Sequence, residues 1–152
     1  MPNPLNTLEI IIKSWQEASQ DAYPIRQQVF IKEQGVPENM ELDEYDPLSK
    51  HALAYQGVLC LGTGRLLRLK GNDAQIGRMA VLSAFRNQGI GKAILIALVV
   101  LAQSEGVTRL LLHSQVSAIP FYEKLGFKAE GSVYEEAGIP HRNMMLLLPT
   151  AA

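Results

Sequence analysis

The segment at residues 86–92, Arg-Asn-Gln-Gly-Ile-Gly-Lys, has residue types and a spacing suited to holding an anion. It lies between a strand-like run at residues 75–82 and a long apolar run that predicts a helix. Two glycines one residue apart let a ligand approach the backbone without meeting a Cβ atom. The free N–H groups at the start of a helix favour negative charge. The pattern predicts a pyrophosphate site, and a ligand-free glycine-rich turn is the alternative.

Two common nucleotide motifs, G-x-G-x-x-G and G-x-x-x-x-G-K-[ST], do not occur in the chain, so dinucleotide and nucleoside triphosphate sites lose support. What remains is R-x-x-G-x-G after a strand, which resembles the acetyl-CoA loop of the GNAT superfamily of N-acetyltransferases. The resemblance implies that loop amides hold the pyrophosphate of coenzyme A, while two basic side chains neutralise its charge. The residues so assigned are Arg86, Asn87, Gln88, Gly89, Ile90, Gly91 and Lys92.

A second segment, residues 117–127, supports the same resemblance. Its sequence, Ser-Ala-Ile-Pro-Phe-Tyr-Glu-Lys-Leu-Gly-Phe, predicts a short helix closed by Gly126 and is similar to the second GNAT signature. The resemblance runs continuously over residues 76–127. It implies that Ala118 and Phe121 line the pantetheine arm of the coenzyme and that Tyr122 lies near its sulfur. It also implies backbone contacts to pantetheine from a strand, with the Met79 amide as oxyanion donor; the strand residues are Met79, Ala80 and Val81.

Acyl transfer from a thioester to an amine needs a proton donor for the departing thiolate and an acceptor for the ammonium proton. Tyr122 is the predicted donor, because a phenol with a pKa of about 10 keeps its proton at neutral pH; a tyrosine that only packs on pantetheine is the alternative. Glu33 is the predicted acceptor, on the expectation that burial beside the coenzyme raises its pKa. A water chain is open too, and the other candidates are the loop acids and two histidines: Glu41, Asp43, Glu44, Asp46, His113 and His141.

The acceptor pocket is predicted opposite the coenzyme, between the first helix with its acidic loop at residues 37–48 and the segment before the last strand. The loop acids favour a cationic primary amine of a small molecule. The candidate substrate residues are Arg26, Phe30, Glu33, Asp43, His113 and His141.

Two alternatives remain open. The N-terminal half is similar to acyl-homoserine-lactone synthases, which share the GNAT fold and acylate the amine of S-adenosylmethionine; the match includes Arg26, Phe30, Glu33, residues 43–46 and residues 62–66. Those synthases have a tryptophan where this chain has Val36, and they usually take acyl carrier protein. A non-catalytic module that binds acetyl-CoA is the other alternative. Thioester turnover with a panel of amines would separate these classes.

Composition limits the other possibilities. With 152 residues and 16.8 kDa the chain is predicted to form one domain, residues 1–152. A net charge of −1 gives no basic field for nucleic acid. The single cysteine, Cys60, fits a reducing compartment, and we expect a cytoplasmic protein. The most apolar stretch has ten residues, 93–102, whereas a bilayer needs about 20. No membrane partner and no metal are expected, and a homodimer is left open.

The order of elements predicts a mixed α/β fold. Helices are predicted at residues 21–34, capped by Asp21 and ended by Gly35, at 89–104 and at 120–125. Strands are predicted at residues 8–13, 52–56, 58–70, 75–82, 107–113, 128–134 and 143–148. The resemblance to GNAT proteins implies a single twisted, mostly antiparallel sheet flanked by helices. It also implies that the fourth and fifth strands splay apart to form the coenzyme slot.

Overall fold

The computed structural model describes residues 7–149, which form one seven-stranded sheet with helices on its faces. The strands are β1 Leu8–Ser14, β2 Lys50–Gln56, β3 Leu59–Arg68, β4 Asp73–Val81, β5 Arg109–Gln115, β6 Lys128–Glu136 and β7 Ile139–Leu147. The helices are α1 Trp15–Arg26, which continues as a π-helix over Gln27–Glu33, α2 Glu38–Glu41, α3 Ile90–Ser104 and α4 Ile119–Glu123. The mixed α/β class is thereby confirmed. None of the helices within residues 7–149 is both long and apolar enough to cross a membrane.

The strand order is β1-β2-β3-β4-β5-β7-β6, and every neighbouring pair is antiparallel except β4 and β5. The parallel pairing joins only Asp73–Ile76 to Arg109–Leu112. Beyond those four pairs, β4 continues to Val81 and β5 to Gln115 without pairing to each other. The predicted splay of the fourth and fifth strands is confirmed, and it opens the sheet at one end.

A bulge in β4 lies at the start of this opening. Arg78 and Met79 of β4 together stand opposite Gly64 of β3, and Arg78 has a positive φ of 52°. An extra residue of this kind interrupts the ladder of hydrogen bonds and bends the strand. The bulge therefore turns backbone groups of β4 away from β3 where the two central strands separate.

Two glycines of β3 bring α3 close to the sheet. A Cβ atom on Gly64 would lie 2.6 Å from the Sδ atom of Met79 and 2.9 Å from the Cγ2 atom of Ile94, and one on Gly62 would lie 2.9 Å from the Cδ1 atom of Ile94. Ile94 and Leu98 are fully buried in the resulting core. The opposite face of α3 exposes apolar side chains, among them Ile96 and Val100. This packing fixes the start of α3 beside the splayed strands.

The first helix is longer than predicted. It starts at Trp15 rather than at Asp21, and Asp21 lies inside it, where its carboxylate accepts a hydrogen bond of 2.6 Å from the Tyr55 hydroxyl. Pro24, a helix-breaking signal in the sequence, is tolerated within α1. Gly35, with a φ of 75°, follows the helix end as predicted. The loop predicted at residues 37–48 contains α2 and a 3₁₀ turn.

Both C-terminal strands are longer than predicted, since β6 ends two residues later and β7 begins four residues earlier. They meet at a two-residue turn in which Ala137 and Gly138 have φ values of 52° and 77°, the conformation that suits a tight hairpin. His141, predicted in a loop before the last strand, therefore lies within β7 and pairs with Gln115 of β5. The hairpin holds this histidine on a rigid element.

Candidate active site

A cleft of about 1250 Å³ extends between the splayed strands and across to the segment that follows α1. Every residue predicted to bind the coenzyme lines this cleft except Gln88. Of the predicted substrate residues, Phe30, Asp43, His113 and His141 line it, whereas Arg26 and Glu33 do not. The tertiary structure thus brings the segments at residues 86–92 and 117–127 together around one space.

The start of α3 provides an anion-binding surface at the cleft. Gly89 is the N-cap with a φ of 81°, and its carbonyl accepts the first intrahelical bond, from the Ala93 amide at 3.0 Å. The first N–H groups of a helix have no intrahelical acceptor, and no side chain caps this end. A Cβ atom on Gly91 would lie 3.6 Å from Phe121, an ordinary contact. The fold itself therefore does not require glycine at position 91, and the absent side chain leaves room for a ligand.

Arg86 and Glu33 form an exposed ion pair beside this surface. The Nη1 and Nη2 atoms of Arg86 donate to the Glu33 carboxylate at 2.5 and 2.8 Å, and its Nε donates to the Val81 carbonyl at 3.0 Å. The hydrogen bond from Arg86 holds the pKa of Glu33 below its usual value. The expectation that burial raises the pKa of Glu33 is therefore wrong, because the end of the π-helix directs this carboxylate toward Arg86 at the surface.

We expect Glu33→Gln to leave the shape of the pH–activity profile unchanged. The Glu33 carboxylate is exposed and its lowered pKa keeps it ionised through the neutral range, so it does not titrate where amine acetylation is measured. The measurement is kcat/KM for an amine against pH. A loss that grows toward low pH and recovers toward high pH would restore Glu33 as the base.

Tyr122 is 8% exposed and packs edge-on against Phe121 and Phe127 at centroid distances of 5.0 and 5.9 Å. Its hydroxyl makes no hydrogen bond within residues 7–149. Every fully buried side-chain nitrogen or oxygen atom of that range has a partner, so this hydroxyl is not fully buried. The hydroxyl must therefore reach the open cleft that Tyr122 lines. Burial raises the pKa of Tyr122 to about 12, so the phenol carries a proton at neutral pH and can donate it.

Beneath the acceptor side of the cleft lies a network of three arginines and three acids. Arg26 is completely buried; its Nε donates to Glu41 at 2.6 Å and its Nη1 to Asp46 at 2.8 Å. Burial raises the pKa of Glu41; burial would also raise that of Asp46, but the hydrogen bond from Arg26 helps hold it below its usual value. The network consists of Arg26, Arg65, Arg78, Glu41, Asp43 and Asp46.

This network corrects two expectations. Arg26 is not available to a substrate, since its guanidinium is enclosed by its own partners. Asp43 lines the cleft, but it accepts hydrogen bonds from Arg65 at 2.8 Å and from Arg78 at 3.1 Å. The loop acids in the network are thus charge-compensated and do not present the free negative field that the sequence suggested. Arg78 was missed because no local signal indicates a bulge there.

A second cluster, the rim triad, consists of His113, Glu136 and His141, all of which line the cleft. The Nδ1 atom of His113 lies 3.2 Å from one Glu136 oxygen, and the Nε2 atom of His141 lies 3.7 Å from the other. The Nδ1 atom of His141 is hydrogen-bonded to the Ile139 carbonyl at 2.7 Å. Sequence analysis proposed both histidines but not Glu136, because their proximity depends on the pairing of β7 with β5 and β6.

Comparison with known proteins identifies the class. The sequence model of the "Acetyltransferase (GNAT) domain" matches residues 14–148. The chain therefore belongs to the GNAT acetyltransferase family and is an acyltransferase.

Individual relatives agree with this assignment. YjcF of Bacillus subtilis (strain 168), an uncharacterized N-acetyltransferase, is 36% identical over 139 residues, which cover 91% of this chain and 99% of that protein. An acyl-CoA N-acyltransferase from Pseudomonas aeruginosa superposes with a TM-score of 0.82 at 28% identity, covering 91% of this chain and 99% of the other. The CoA-dependent acyl-homoserine lactone synthase BjaI, solved with SAM and isopentyl-CoA, has a TM-score of 0.75 at 16% identity over 91% of this chain and 82% of its own. The last similarity shows a shared fold.

Proposed function

We propose that this protein transfers an acetyl group from acetyl-CoA to the primary amine of a small molecule, by direct attack of the amine within a ternary complex. The observation that carries the proposal is that two functional features open into the same cleft. These are the uncapped start of α3, with Gly89 and Gly91, and the protonated hydroxyl of Tyr122. The similar protein from Pseudomonas aeruginosa is an acyl-CoA N-acyltransferase and BjaI is CoA-dependent, which supports a CoA thioester as the donor.

The residues around the helix start fit the pyrophosphate of coenzyme A. The amides of the first turn of α3 would bind phosphate oxygens, and the space left by Gly91 would let them approach. Lys92, exposed at the cleft, adds a positive charge that forms no ion pair within residues 7–149. Ala118 and Phe121 give the narrow part of the cleft an apolar wall for the pantetheine arm.

The thioester supplies the activated acyl carbon, and the chain supplies the groups around it. The bulge in β4 supports the Met79 amide as a hydrogen-bond donor for the developing oxyanion. Tyr122 donates its proton to the departing thiolate, and its raised pKa keeps that proton available. The acid and the oxyanion donor thus come from α4 and β4, the elements on either side of the cleft.

The resemblance to acyl-homoserine-lactone synthases does not add a second function. Of the residues that carry it, Arg26, Asp43, Asp46 and Arg65 are members of the buried ion network. All four pair with other members of that network, so their presence is explained by support of the cleft wall. The shared residues therefore argue for common architecture.

The proposal is tested by Gly91→Val, which we expect to weaken binding of acetyl-CoA at least tenfold. The added methyl groups occupy the space where phosphate meets the helix amides, and a tenfold loss corresponds to only about 1.4 kcal/mol. Ala93→Val is the matched control, because it adds methyl groups in the same turn at a position that does not line the cleft. Calorimetry gives the Kd, and thermal unfolding without ligand shows whether both variants fold alike.

Gly89 is a less suitable position for this test. Its φ of 81° strains any larger residue, so loss of binding there would not separate the ligand contact from the backbone. If Gly91→Val and the parent bind acetyl-CoA with equal affinity, the assignment of the start of α3 as the pyrophosphate site is refuted. Binding without thioester consumption across a panel of primary amines would instead indicate a non-catalytic module.

A further inference from the structure

Because Glu33 does not line the cleft, no residue has yet been assigned to accept the proton of the incoming ammonium group. We propose that the Nε2 atom of His141 accepts this proton and that Glu136 holds the ammonium and balances the imidazolium formed. This inference deepens the proposed function and rests on it. It arises from the rim triad of His113, Glu136 and His141, whose members line the cleft that Tyr122 also lines.

The hydrogen bonding of His141 fixes where its lone pair lies. A carbonyl can only accept, so the 2.7 Å contact from Nδ1 to the Ile139 oxygen requires the proton on Nδ1. In the neutral ring the lone pair is then on Nε2. That atom is 3.7 Å from Glu136, beyond hydrogen-bond distance, and it has no other partner within residues 7–149. Since no fully buried side-chain polar atom of that range is unpaired, Nε2 is open to the cleft.

The position of His141 along the sheet suits contact with an acceptor amine. It pairs in register with Gln115, three residues past Leu112, where β5 last pairs with β4. Gln115 donates a hydrogen bond of 2.8 Å to Gln34, which follows the π-helix on the other side of the opening. His141 therefore lies at the end of the sheet where β4 and β5 separate. Its pairing partner Gln115 is the residue whose hydrogen bond to Gln34 joins β5 to the end of the first helix. The ring of Tyr134 stacks against the imidazole of His141, with the two ring centroids 6.1 Å apart.

Glu136 differs from the other carboxylates of the cleft in the groups that balance its charge. Three carboxylates line the cleft within residues 7–149, and both Glu41 and Asp43 are bonded to arginines. Within residues 7–149, the ionic partners of Glu136 are the two imidazoles alone. The titratable groups facing His141 are Glu136 and Tyr134 from β6, with His113 of β5 reaching it through Glu136. An ammonium group entering the cleft therefore finds, beside Nε2, a carboxylate that no arginine or lysine of residues 7–149 neutralises.

The step balances with the groups present. The substrate N–H bond breaks, its proton bonds to Nε2 of His141, and the electron pair left on nitrogen becomes the nucleophile for the acyl carbon. The imidazolium so formed lies beside the Glu136 carboxylate and returns its proton to solvent. Tyr122 supplies a different proton, to the thiolate, so the donor and the acceptor are separate groups.

The test compares His141→Gln with His113→Gln in the full chain, by kcat/KM for a turned-over amine against pH. We expect His141→Gln to lower kcat/KM about 10²–10⁴-fold near neutral pH, with a loss that shrinks toward high pH as hydroxide substitutes for the missing base. His113→Gln removes the other imidazole on the same carboxylate, and we expect it to keep the pH dependence of the parent. Unchanged acetyl-CoA affinity shows that each variant folds.

Glu136→Gln provides a second test of the proposal. This side chain is half exposed, so the substitution does not change a buried position. We expect a raised KM for the amine with an unchanged Kd for acetyl-CoA. If His141→Gln keeps the parent profile, or if Glu136→Gln leaves the amine KM unchanged, the inference is overturned while the proposed function stands. If the parent consumes no thioester with any amine, both fall together.

Discussion

Tyr122→Phe should slow turnover about 10²–10⁴-fold at saturating substrates, while leaving the affinity for acetyl-CoA unchanged. The ring still packs against Phe121 and Phe127, and only the donated proton is lost. The free energy of unfolding should hardly change, because the hydroxyl makes no hydrogen bond within residues 7–149. The measurements are kcat under saturation, the Kd from calorimetry and a urea melt.

Tyr55→Phe is the control for this prediction. Tyr55 is as buried as Tyr122, at 8%, but its hydroxyl bonds to Asp21 at 2.6 Å and it does not line the cleft. Its removal should lower the free energy of unfolding by about 1.5–3 kcal/mol, the range for a hydrogen bond to a charged group, and leave kcat intact. Equal kcat values for Tyr122→Phe and the parent would reduce Tyr122 to a packing residue.

Arg26→Met should cost about 3–5 kcal/mol of stability, because it leaves Glu41 and Asp46 buried with one partner fewer. Methionine replaces the aliphatic part of the side chain with a similar apolar chain, so the loss reports the charge and its hydrogen bonds more than a cavity. Denaturant unfolding monitored by circular dichroism gives the free energy. The cleft wall carried by Asp43 and Arg78 should loosen as well, which would show as a raised amine KM at temperatures where the variant is folded.

Arg109→Met is the matched control, since Arg109 forms an exposed pair with Asp73 at 2.6 Å far from the network. Solvent and salt screen such a pair, so its loss should be much smaller. If both arginine variants unfold at the same denaturant concentration, the network adds nothing beyond an ordinary surface pair. In that case the role assigned to Arg26 would be wrong.

The sequence by itself determined the parts of the site that depend on neighbours along the chain. The glycines at positions 89 and 91, the apolar run after them and the strand before them predict an uncapped helix start, and α3 begins at Ile90 as expected. The connections between β2, β3 and β4 are only a few residues long, which favours antiparallel pairing, and the three strands do pair antiparallel. The helix around Tyr122 was placed by its proline and by Gly126. Each of these signals acts over a few residues, where backbone geometry and local hydrogen bonds decide the outcome.

Only the tertiary structure decided which charges are free. Glu33 and Arg86 are 53 positions apart, Arg26 and Asp46 are 20 apart, and neither ion pair has a sequence signal. Sequence analysis treated the carboxylates as an open acidic loop, whereas arginines compensate Glu41, Asp43 and Asp46 in the fold. Among the residues that the structure describes, Glu136 has only imidazole partners. The physical reason is that Coulomb attraction and desolvation depend on distance and burial, which strand register and helix packing set, and not on separation along the chain.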